Sequence, residues 1–111
     1  MTINQSLRDL QVILVNQMQE LSRRLDGVSD PDQARAIVGE MQEINHRITL
    51  VGGLLFRQQS EELENKVDAV CKAESKIEQA LQDISHIADF LKAFSGFLAL
   101  VDEAIDFAKL P

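Results

Sequence analysis

Ala34, Ile37, Met41, Ile44, Ile48, Val51 and Leu55 follow one another at intervals of three and four without a miss. That spacing puts every one of them on a single face of an α-helix, and no strand periodicity reproduces it. Seven positions of such regularity make a coiled-coil-like seam. A helix with one long seam needs a partner helix, so the rest of the chain is read for partners.

The first is immediately upstream. Leu7, Leu10, Leu14, Met18, Leu21 and Leu25 repeat the same spacing, Arg23 and Arg24 fall where positive charge suits a helix C-terminus, and Gly27 suits the residue just beyond. The expected helix covers about residues 3–26. Ser29 and Asp30 are cap residues, Pro31 fits a first helical position and Asp32 adds favourable charge, so a second helix is expected over 31–58. The short connection predicts an antiparallel hairpin.

Downstream, Ser60 followed by Glu61 and Glu62 reads as another helix start. The seam then continues as Leu63, Val67, Val70, Ile77, Leu81, Ile84, Ala88 and Leu91, with Glu74 as one polar interruption. Glu74 either fixes register or marks loosened pairing. A third long helix over 61–94 is expected, with Gly96 bending or breaking the chain before a short helix over 97–109. The fold expected for 1–111 is thus a single all-α domain: an antiparallel bundle of three long helices plus a short C-terminal one, with coiled-coil-like seams. The Gly52-Gly53 pair is a turn, a close crossing or a hinge, and the four-residue spacing of Val51, Leu55, Gln59, Leu63 and Val67 would let helices two and three run on as one.

Composition fits this class. The five aromatic residues are all Phe, so Leu, Ile, Val and Ala must fill the core, as in helix-on-helix packing. Eighteen acidic against eleven basic residues give a net charge of −7, and residues 61–111 carry most of the excess, with 11 acids against 5 bases. Such a surface repels phosphate backbones, which argues against nucleic acid as a partner, and it offers no electrostatic attraction to anionic lipid. One cysteine, Cys71, permits no internal disulfide, so the reducing cytoplasm is the expected compartment. No cleaved signal and no membrane span is visible in the pattern, though export without a cleaved signal is compatible with it.

Two pairs invite a chemical reading. Glu43 with His46, and Asp83 with His86, have the acid-x-x-His spacing that di-iron bundles use. Ile44 and Ile84 take the seam positions, however, and Glu43 has Arg47 one turn away, so solvated flanks are the expectation and no metal, cofactor or catalytic role is assigned. Cys71 is read as a small packing residue beside a seam.

The feature with most functional promise is the tail. Phe90, Phe94, Phe97, Leu98, Val101, Ile105 and Phe107 spread apolar surface around much of a helix, wider than one neighbour covers. They are either the terminal cap of the bundle or an interaction surface for a second copy, another protein or a bilayer interface. The expected function is a non-enzymatic protein-protein interaction module that self-associates; the alternative is a membrane-surface helical protein using this tail.

A helix, then Ser29-Asp30-Pro31, then a seam-bearing helix over about residues 7–59 is similar to type III secretion needle and rod subunits. That resemblance implies a short helical hairpin for this part. Residues beyond it depart from the pattern, and no function is taken from it.

Overall fold

Three of the four helices start at a side-chain cap. In the computed structural model, which describes residues 2–110, Asn4 accepts a hydrogen bond from the Leu7 N–H (3.1 Å), Asp30 from Asp32 and Gln33 (2.7 and 3.2 Å), and Ser60 from Leu63 (3.1 Å). Each bond satisfies donors that a helix leaves free at its start. The helices are α1 (Gln5–Asp26), α2 (Pro31–Gly52), α3 (Glu61–Gln82) and α4 (Ile87–Lys109), and there is no strand among the described residues.

All four are of nearly equal length, 22 or 23 residues, which corrects the expected arrangement of three long helices and a short one. The break expected at Gly96 lies instead at 83–86. There the Asp83 carboxylate accepts from both the backbone N–H and the hydroxyl of Ser85, a local bond that competes with helix continuation. Ile84 is buried within this turn. Gly96 is an exposed residue inside α4, and a Cβ added to it would meet nothing within 4 Å. Likewise α2 stops at Gly52, not at 58, where two successive glycines of low helix propensity stand.

The helices form two hairpins, and the second repeats the first. Gln5 and Glu61, Asp26 and Gln82, and Pro31 and Ile87 are each 56 positions apart. The caps Asn4 and Ser60 correspond, as do Leu7 and Leu63, Leu14 and Val70, and Leu21 and Ile77, all of them buried apart from half-buried Ser60. In the second arm the core register moves by one residue, so that Ile37 and Ile44 match Phe94 and Val101.

Polar contacts fix how the hairpins sit together. Ser6 pairs with Gln59 (2.7 Å) and Gln17 with Glu74 (3.2 Å), which sets α1 parallel to α3. Arg47 pairs with Asp102 and joins α2 to α4, which run parallel because each is antiparallel to its partner in the parallel pair α1 and α3. Around the bundle the order is therefore α1, α3, α4, α2, with α2 and α3 on opposite corners. Residues 53–60 cross the end of the bundle to join them, and the whole measures 46 × 20 × 17 Å. No helix among the described residues is long and apolar enough to cross a membrane.

Candidate interaction surface

The apolar tail lies inside the bundle. Phe90, Phe94, Phe97, Leu98, Val101 and Ile105 are all buried within the chain itself, and only Phe107 is half-exposed, with the Lys66 ammonium 5.7 Å above its ring. Phe90 and Phe94 pack tilted at 4.9 Å, and Phe94 and Phe97 edge-to-face at 6.3 Å. The stripe is wider than one neighbour covers because α4 has two, α2 and α3. The six inner residues are therefore not a surface open to a partner in the folded chain, contrary to the interaction reading of the tail.

Exposed apolar surface lies elsewhere: among the described residues Val12, Val15, Val38 and Leu91 are exposed along the helices, and Ile3, Phe56 and Leu110 at one pole. The Asn4 N–H donates to the Leu55 carbonyl (2.7 Å) and the Asn4 amide to the Arg57 carbonyl (2.9 Å), which ties the start of α1 to the crossing link. Around these bonds Ile3 is exposed and Phe56 is 59% exposed. Leu110, 63% exposed, closes the same pole, where it lines a 580 Å³ cleft with Arg57, Gln59, Leu63 and Phe107. Three large apolar side chains thus surround one end of an otherwise acidic molecule, with Arg57, Lys66 and Lys109 near them. Sequence reasoning missed Phe56 because it was read only as part of an apolar run; its place off the four-residue spacing of Val51, Leu55 and Gln59 was the available signal.

Gly52 and Gly53 stand where α2 ends. Gly53 has an ordinary right-handed conformation (φ −76°, ψ −7°), and its N–H donates to the Thr49 and Leu50 carbonyls. Neither glycine is required by a left-handed backbone.

The acid-x-x-His pairs do not converge. Glu43 and His46 are exposed on α2, and Glu43 is taken by Arg47 (2.9 Å). Asp83 and His86 are in the α3–α4 turn, at the other end of the bundle from the α2 terminus. Ser85 holds the Asp83 carboxyl below its ordinary range. No group of three or more His, Cys, Asp or Glu among the described residues is placed to hold a metal ion. Cys71 is exposed, in a shallow groove between α1 and α3 with Val12, Ile13 and Val67.

Two polar clusters join the hairpins. Arg47, its side chain 12% exposed, donates two parallel bonds to Asp102 (2.8 and 3.0 Å) and others to the Glu43 side chain and carbonyl. The Asp102 hydrogen bond, above all, holds the guanidinium firmly protonated. Glu40 lies nearby with one carboxylate oxygen buried and unpartnered; burial and the charge of Glu43 push its pKa up against the opposing pull of Arg47. In the other cluster Glu74, the polar residue of the α3 seam, accepts from buried Gln17, whose own carbonyl oxygen has no partner.

Compared with known proteins, the chain matches no family model, no curated protein and no solved structure.

Proposed function

We propose that this chain is a non-enzymatic helical interaction module that associates with copies of itself through the pole around Phe56. The observation that carries the reading is a large aromatic side chain, 59% exposed, at a pole where Ile3 and Leu110 are exposed as well. Burying such a group on association is favourable by about 1.5–3 kcal/mol for one side chain. Hydrogen bonds from the Asn4 backbone N–H and side-chain amide to the link hold the pole in shape, so little ordering is lost on binding. Scaffolding, assembly, or service as a small helper or immunity-type partner are the roles such a module fills, in the reducing cytoplasm where exposed Cys71 stays a thiol.

Light scattering coupled to size-exclusion chromatography tests this over a hundredfold range of concentration. A mass that rises from one chain toward two supports the reading, and a single-chain mass throughout refutes it. The alternative, a membrane-surface protein, must draw the buried Phe residues of α4 out of the core to reach lipid. Flotation with liposomes at physiological salt would reveal it.

A further inference from the structure

The pole that bears the exposed ring of Phe56 also has a hollow. The 580 Å³ cleft lies between the end of the link, the start of α3 and the end of α4, with Leu63, Phe107, Ala108 and Leu110 as apolar walls and Arg57 on the link side. That volume is within the range of about 300–1,000 Å³ that takes a small ligand, and is ample for one aromatic side chain. Phe56 is not among the residues that line it, so the chain does not fill the cleft with its own ring. A projecting ring and an apolar cleft therefore stand on the same end of the same chain.

We propose that the cleft receives Phe56 of a second copy and that the fit is mutual: two copies meet end to end about a two-fold axis, each ring set into the other's cleft. This rests on the self-association reading above and names what the ring meets. A flat contact would fall short. An end of 20 × 17 Å offers about 340 Å² per copy, against about 800 Å² per partner in a stable interface, and interlocking adds the rings and the cleft walls to that area. The dimer is thus of the small, reversible class, below about 1,200 Å² in total. Charge favours the end over the sides. A net charge of −7 sets copies against each other along their length, but at the pole Arg57 and Lys109 stand with Glu61 and Glu62 of the first turn of α3, so both signs are present to pair across the axis. The cleft also has the chemistry of a ring site. Lys66 already lies 5.7 Å above the Phe107 ring, and the incoming ring meets Phe107 as an aromatic neighbour and Arg57 as a cation.

Phe56→p-benzoylphenylalanine in the full chain keeps an aromatic side chain at this position and makes it photoreactive. Irradiation of the dimer fraction is followed by denaturing electrophoresis and by mass spectrometry of the two-chain product. The expected attachment is at Phe107, Leu110 or residues 57–60 of the other copy. Attachment at the other copy's residue 56, or elsewhere on it, overturns insertion and leaves self-association standing. A second variant, Leu110→Asp, keeps Phe56 and puts a carboxylate at the cleft wall. Its dimer should have a Kd at least about tenfold higher, with the melting temperature at low concentration unchanged, since Leu110 is 63% exposed. A dimer as strong as that of the unaltered chain overturns the cleft as the seat of the ring. A mass that rises past two chains overturns the two-fold pairing. A monomer at every concentration of the unaltered chain overturns both this proposal and the self-association reading.

Discussion

The second helix of each hairpin occupies an equivalent place, yet α2 and α4 are built differently. Where α4 has Phe90, Phe97 and Ala104, one residue each heptad and all buried, the matching positions of α2, 57 earlier, carry Gln33, Glu40 and Arg47, all half-buried. The adjacent column is more alike: Met41 and Ile48 stand opposite Leu98 and Ile105 in the correspondence. With Phe94 and Val101 matched by Ile37 and Ile44, α4 presents three apolar columns to its neighbours and α2 presents two, edged with charge. The lesson is that two helices with the same number of neighbours are buried differently, because the chemistry at the edge decides whether a face seals by packing or by ion pairs. A hairpin sealed by polar edges is the one more readily separated from its partner.

The largest effect expected from this difference is in α4. Phe94→Ala removes a fully buried ring that touches two others and should cost about 3–5 kcal/mol, read from urea unfolding. A cost below about 1 kcal/mol would mean that the aromatic column is not the core. Next in size, Arg47→Ala writes into α2 the residue that α4 has at Ala104. Loss of a bidentate bond to a half-exposed Asp102 should cost about 2 kcal/mol by the same measurement, and no change would show that the polar edge seals nothing.

Gly96→Ala should raise stability by about 1 kcal/mol, since it adds helix propensity in mid-α4 where a Cβ meets nothing. A loss would restore the break at Gly96. The smallest effect belongs to Glu40→Gln, below about 1 kcal/mol because the group is only half-buried. Burial raises the Glu40 pKa in the folded chain, so the folded state binds this proton more tightly than the unfolded one and ionised Glu40 disfavours folding. Melting temperature should therefore rise in the Gln variant at neutral pH, and the gain should fade as pH falls through the raised Glu40 pKa. A gain that persists at acid pH would locate the effect elsewhere.

Helix starts were the most legible part of the chain. Pro31 after Asp30, and Glu61 after Ser60, begin helices where the capping chemistry predicts. The α3–α4 turn was not legible, because Leu81, Ile84, Ala88 and Leu91 continue the helical spacing through it and no Gly or Pro interrupts them. Asp83 and Ser85 make that turn through a side-chain bond, and Ala88 and Leu91 come out exposed once it is made. The repeat of the hairpins was hidden for a different reason. Only apolar character is kept between Leu14 and Val70 or Leu21 and Ile77, and packing asks for no more than that. As for the candidate surface, a stripe such as Phe90, Phe94 and Phe97 reads the same whether two helices of its own chain or a partner covers it. Phe56 gave one signal in the sequence, its place off the four-residue spacing of Val51, Leu55 and Gln59, and its exposure shows only in the fold.

The pole around Phe56 is the centre of the account, and Phe56→Ser tests it most directly. Light scattering of this variant beside the unaltered chain, at the highest concentration reached, is the measurement. The account predicts a dimer for the unaltered chain, a monomer for the variant, and the same melting temperature for both at low concentration, since the ring is exposed in the single chain. Equal masses for the two proteins would contradict it.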